Sequence, residues 1–272
     1  MFRTALATAL FLPILTGCSD NGAAEPAAAP ASEDAATISA VAETPAQPGR
    51  AEAVDESTDD FEFAYSWPAA AGTGPLKDAL TAERQRLRNE IATSAGAARR
   101  EAEASGYPFR PFGFEKEWSV VTQTPRFVSL SAETYVYEGG AHGMQTFDAL
   151  VLDREKNLVL QPGTMFSGTA ALNDAVRGPM CDALDRARAE RRGDMGTEGG
   201  WENACIDPVS DTSMILGSSD GRRIDRLGFL VGSSVAGAHA EGSYDLTIPV
   251  TDAVIAALRP EYRDAFAAAP EG

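Results

Sequence analysis

The chain has 272 residues, 44% of them hydrophobic and 23% charged, an ordinary globular composition that fits one or two domains. Its basic and acidic residues give a formal charge of 23 − 40 = −17, which excludes a general nucleic-acid binder and adhesion to anionic lipid through a basic face. Two histidines and three cysteines are too few for a zinc-ribbon or iron–sulfur protein, and no apolar run is long enough for an ordinary transmembrane helix.

Residues 1–17 have the layout of a secretory signal. Arg3 precedes an apolar stretch from Ala5 to Leu15, and the segment closes on Leu15-Thr16-Gly17-Cys18, the pattern of a bacterial lipobox. Cleavage there would leave Cys18 as a lipidated N-terminus, held to the envelope by its acyl chains. Ser19 after the cysteine favours the outer membrane over the inner. Residues 18–60 read as a disordered tether: Ala- and Pro-rich, with ten acidic residues after Cys18 against Arg50 alone, and without an aromatic side chain.

The folded part is expected over 61–272, with halves at 61–166 and 167–272. Phe61, Phe63, Tyr65 and Trp67 alternate with small or polar residues, as in a half-buried strand. A helix follows from Leu76 to about Ala104, with Leu76, Leu80, Leu87, Ile91, Ala95 and Ala98 on one face. Its arginines, Arg84, Arg86, Arg88, Arg99 and Arg100, read as a solvated face. Strands are expected at 117–124, 127–137, 146–152 and 157–160. A second helix is expected over 169–192, broken or kinked at Gly178-Pro179, with Arg186, Arg188, Arg191 and Arg192 as a solvated C-terminal end. Further strands at 213–217, 224–231 and 243–249 precede a short helix near 252–258 and a turn near 261–266. Grouped rather than alternating strands and helices predict an α+β fold, a mainly antiparallel sheet packed against a few helices.

Cys181 and Cys205 predict a disulfide outside the cytoplasm. Closing about 25 residues, it contributes roughly 3.5 kcal/mol by chain entropy. No metal site is expected, because neither cysteine has a further cysteine or a histidine at ligand spacing.

The segment of most chemical interest is Tyr135-Val136-Tyr137-Glu138-Gly139-Gly140-Ala141-His142-Gly143. Its glycines permit positive φ and close backbone approach. His142 in such a turn has two readings: a functional group (general base, ligand contact or pH-responsive side chain) or a structural histidine satisfying backbone groups. A second segment of the same kind is Ala236-Gly237-Ala238-His239-Ala240-Glu241-Gly242. The carboxylates Glu133, Glu138 and Glu241 near these turns form at most a weak case for a glycosidase pair. Gly217-Ser218-Ser219-Asp220-Gly221 matches the nucleophile-elbow pattern, but a strand rather than a helix is expected after it, and Ser-Asp-Gly is hairpin chemistry.

YVYEGGAHG resembles the Y-x-Y-x-G-G-A-H-G signature of the RsiV-like extracytoplasmic domain family (domain of unknown function 3298 with 4163), a region also found beside the catalytic domain of peptidoglycan deacetylases of PdaC type. The resemblance continues through Phe147-Asp148, Leu158-Val159-Leu160 and Gly163-Thr164-Met165-Phe166, and through 236–250, covering about 61–267. His239 stands where the family more often has tyrosine. The resemblance implies a protein-binding module, since RsiV is an anti-sigma factor whose outer domain binds lysozyme. With 17 residues before Cys18, neither a sigma-binding segment nor a polysaccharide-deacetylase domain is expected here.

The expectation is therefore a non-catalytic, lipid-anchored envelope domain on the periplasmic face, binding an envelope protein such as a lysozyme-like muramidase, or cell-wall glycan. No cofactor and no nucleic acid are expected. Candidate contacts are Tyr135, Tyr137, Gly139, Gly140, His142, Gly143, His239 and Glu241. The alternatives are a peptidoglycan- or ester-directed hydrolase using His142, and a structural lipoprotein with no small ligand.

Overall fold

The structure, a computed structural model, describes residues 49–193 and 203–269. The signal segment, Cys18 and the tether up to residue 48 lie outside these. Nine strands and three helices are described: β1 (Glu52–Ser57), β2 (Phe61–Trp67), α1 (Gly74–Ser105), β3 (Phe112–Gln123), β4 (Phe127–Tyr137), β5 (Met144–Asp153), β6 (Leu158–Leu160), α2 (Thr169–Arg192), β7 (Ser213–Gly217), β8 (Arg226–Val231), β9 (Tyr244–Pro249) and α3 (Asp252–Ala257). The first six strands form one sheet in chain order and the last three a second. The class is α+β, as expected. The one parallel pair, β2 with β3, is bridged by α1 as a crossover; the other pairs are antiparallel.

The six-stranded sheet buries one face under α1. Phe61, Phe63, Tyr65 and Trp67 of β2 and Phe112, Phe114 and Trp118 of β3 point into this core, against Leu76, Leu80, Ile91 and Ala95 of the helix. Lys116 lies in the same layer, 3% exposed. Its ammonium pairs with Glu83 of α1 at 2.8 Å and Asp148 of β5 at 2.7 Å. Burial and the hydrogen bond to Glu83 push the Tyr65 phenol far above its ordinary range. A second core gathers around β7–β9, α2 and α3, and takes Phe127, Val151, Met165 and Phe166 from the first half of the chain.

Three expectations need correction. The tether does not reach residue 60: Glu52–Ser57 form β1, paired along its length with β2. The arginines of α1 explain why so acidic a segment orders. Arg84 pairs with Glu52 at 2.5 Å and covers the Trp67 ring; Arg88 pairs with Glu56 at 2.5 Å and covers Phe61. Arg99 pairs with Asp60 and lies over Phe109. Three of the five arginines expected on a solvated face are thus clamps between helix and hairpin. Helix α2 also runs uninterrupted through Gly178-Pro179, with Val176, Met180, Ala183 and Leu184 buried on either side.

Cys181 and Cys205 are disulfide-bonded, with Cα atoms 5.5 Å apart. Ser218–Asp220 lie in the hairpin between β7 and β8, where Ser219 donates to Asp225 and Asp220 caps the amides of Arg222 and Arg223. The elbow-like motif is a turn. No described helix is long and apolar enough to cross a membrane.

Candidate functional site

The turn between β4 and β5 is built from its own tyrosines. Gly139 and Gly140 take φ of +94° and +93°, values that favour glycine. Tyr137 donates its hydroxyl to the Gly140 carbonyl at 3.2 Å, and Arg110 reaches the same hydroxyl at 3.5 Å. The Gly143 amide donates to the Tyr135 hydroxyl at 3.2 Å. A Cβ at position 143 would lie 2.3 Å from the Tyr135 ring, so glycine here lets the ring lie on the backbone. Tyr135 and Tyr137 occupy the sheet face opposite α1, and Tyr135 is 44% exposed.

The connection from β8 to β9 is held by charge. Arg188, 1% exposed in α2, donates to the Ala236 carbonyl from Nε (3.0 Å) and Nη2 (2.7 Å), and to the Ala204 carbonyl at 3.1 Å. Arg191 donates to the Glu241 carbonyl at 2.6 Å and lies 3.9 Å over the Tyr244 ring. Arg192 forks onto the Glu241 carboxylate at 3.1 and 2.9 Å. Tyr244 and the Ala238 amide donate to the same carboxylate. Burial works against ionisation of Glu241, but the hydrogen bonds from Tyr244, Arg192 and Ala238 win and hold its carboxyl below the usual glutamate range. The α2 end expected to be solvated is therefore the anchor of this connection, and this corrects the reading of Arg188, Arg191 and Arg192.

The two histidine turns meet. The His142 and His239 rings stack with centroids 4.4 Å apart and planes inclined by 20°. His142 Nδ1 donates to the Gly143 carbonyl at 3.0 Å, and His239 Nδ1 shares a 3.2 Å hydrogen bond with the Ser234 hydroxyl. Ser234 sits at φ +72°, an unusual conformation for a residue with a side chain. Around the pair opens a cleft of about 570 Å³, lined also by Val136, Glu138, Met144, Thr146 and Val235. Met144 is 65% exposed and Val235 38%.

His142, Gly139, Gly143 and His239 line this cleft, while Gly140, Tyr135 and Tyr137 shape it from behind. Glu241 is turned away toward α2. Glu133 accepts from Gln145 on the outer sheet face, so the three carboxylates Glu133, Glu138 and Glu241 have separate surroundings rather than a shared site. Among the described residues no three His, Cys, Asp or Glu side chains converge as a metal-ligand set. Sequence reasoning missed Met144, Ser234 and Val235, which carry no motif, and the anchoring role of Arg188.

The sheet face opposite α1 carries Asp55, Glu62, Glu115, Glu117 and Glu133 on four neighbouring strands. None of these five forms an ion pair with another described residue, and Asp55, Glu62 and Glu115 share a groove of about 400 Å³ with Tyr135.

Fold and site define an α+β domain with a turn-lined surface cleft and an acidic sheet face. Residues 54–145 match the family described as Deacetylase PdaC, and the match closes just beyond the YVYEGGAHG segment that carries the resemblance. Two solved structures are also similar to the chain. One is a member of the DUF3298 family from Bacteroides fragilis, 17% identical over 73% of this chain and 88% of that chain, with a TM-score of 0.48. The other is a DUF3298 family protein from Pseudomonas aeruginosa PAO1, 15% identical over 78% of this chain and 95% of that chain, with a TM-score of 0.47. No curated protein matches the chain.

Proposed function

We propose that this chain is a lipid-anchored cell-envelope domain that binds an envelope protein, a basic muramidase of lysozyme type, and does not transform it. One observation carries the reading: two turns distant in sequence converge through His142 and His239 on an open cleft with exposed apolar walls. The carboxylates of the sheet face opposite α1, which form no ion pair with a described residue, support a basic partner, because complementary charge speeds encounter and fixes orientation. The lipobox at Leu15–Cys18 supports a lipid anchor and Ser19 after it the outer membrane facing the periplasm, with cell-wall glycan as the other ligand such a place offers.

The competing reading takes the matched family's description at its word and makes the cleft a deacetylase or hydrolase using His142. Capture of purified lysozyme, and separately of peptidoglycan, by the immobilised chain at low and high salt tests the binding reading. Capture that weakens with salt is expected. Failure to capture either, at either salt, overturns it and leaves a structural lipoprotein. Release of products from peptidoglycan that stops in His142→Ala overturns it in favour of catalysis.

A further inference from the structure

The chain's two histidines, one on each cleft wall, touch ring to ring. The Gly143 carbonyl can only accept, so the His142 ring donates this bond from Nδ1 and leaves Nε2 facing away from it. The Ser234 hydroxyl at His239 Nδ1 orients that ring without adding charge. Both rings are exposed, so solvent protons reach them. Imidazole is the side chain whose charge ordinarily changes between pH 5 and 8. Neutral rings in this arrangement attract; two imidazoliums at the same spacing repel.

The surroundings decide whether that repulsion is cancelled. On the β4–β5 side, Glu138 lines the cleft, while Tyr135 and Tyr137 engage Gly143 and Gly140, with Arg110 behind Tyr137. On the β8–β9 side, Glu241 is already matched by Arg192 and Tyr244, and Arg191 binds its carbonyl. One cleft carboxylate therefore faces two prospective cations, with further guanidinium groups behind one of them.

We propose that the His142–His239 stack is an acid-released clasp, a regulation of the same cleft that rests on the binding reading above. With both rings neutral the clasp joins the 139–143 turn to the 233–242 connection and sets the shape of the cleft. With both protonated it parts, and the cleft loses the shape that captures a partner. The anchored wall stays in place, because its contacts to α2 are ion pairs and guanidinium–carbonyl bonds that persist in mild acid.

Hydrogen–deuterium exchange of the full-length chain in mild detergent at pH 7.5 and 5.0, corrected for intrinsic rates, tests this without a ligand. Peptides spanning 139–143 are expected to exchange at least fivefold faster at pH 5.0, while α2 peptides containing Arg188 change less than twofold. In His239→Phe, which keeps a flat ring opposite His142 without its charge, the acid response of 139–143 is expected to fall below twofold; His142→Gln serves as the second variant, read at 233–239. An acid response absent from the wild-type chain, or undiminished in both variants, overturns the clasp. Because exchange needs no partner, that failure is distinct from a failure of lysozyme capture.

Discussion

The two walls of the cleft are held in opposite ways. The 233–242 connection is tied to α2 by Arg188, Arg191 and Arg192, through a buried guanidinium on backbone carbonyls and a forked pair on Glu241. The 139–143 turn has no such anchor. It rests on two tyrosine hydroxyl bonds, two glycines at positive φ and the ring contact with His239. Charged hydrogen bonds in a low-dielectric setting fix geometry more firmly than neutral ones at the surface. One wall is thus a fixed reference and the other a compliant edge, and their contact is where the shape of the cleft is set.

Breaking the fixed wall should have the largest effect. Arg188→Ala would leave the Ala236 and Ala204 carbonyls without their donor, and each stranded buried acceptor costs about 1–3 kcal/mol. A loss of roughly 3 kcal/mol is expected, seen as a fall of about 6–12 °C in the thermal midpoint. A fall under about 2 °C would show that Arg188 is not the anchor. Glu241→Gln attacks the same wall more gently, keeping the shape and removing the charge, at about 2 kcal/mol near neutral pH. Because the folded carboxyl is held below its ordinary range, its stabilisation is complete above the unfolded value and is lost as pH falls through the folded one. The gap in thermal midpoint between wild type and Glu241→Gln should therefore be wide at pH 7 and narrow as the pH falls below the ordinary glutamate range. A gap that persists in acid would assign the loss to shape rather than charge.

The same contrast explains what was legible in the sequence. Local patterns were readable: α2 falls at 169–192 as its periodicity predicts, β4 at 127–137 as its alternation predicts, and the Ser-Asp-Gly turn lies between β7 and β8. Strand β1 was not, because Glu52, Asp55 and Glu56 look like tether until Arg84 and Arg88 of a later helix neutralise two of them. Proline in α2 suggested a break, but helix packing on the second sheet overrides one missing hydrogen bond. Arg188 carried a signal that charge alone obscured: it continues the four-residue stripe Leu172, Val176, Met180, Leu184 and so had to be buried. His142 and His239 were each conspicuous among glycines. Their contact was not, since it depends on where α2 holds the second loop.

The compliant wall should yield smaller changes in stability and larger ones in recognition. In Gly143→Ala the new methyl would meet the Tyr135 ring, whose exposed far end can swing away, so the fold should lose about 1 kcal/mol or less. Lysozyme capture should nevertheless weaken severalfold, because the tyrosine leaves its place beside the cleft. Unchanged capture would remove Tyr135 from the binding surface.

Tyr137→Phe is expected to do least. It deletes one hydroxyl that bonds the Gly140 carbonyl at 3.2 Å in an exposed setting, where water replaces the lost donor. A cost of about 0.5 kcal/mol is expected, within the range of ordinary surface substitutions. If the compliant wall depends on its ring contact more than on this bond, amide exchange at Gly139–Gly143 should rise less in Tyr137→Phe than in His239→Ala. The reverse order would make the tyrosine the true hinge of the turn and the histidine stack a passenger, and would move the contrast between the walls from charge against rings to charge against hydroxyl bonds.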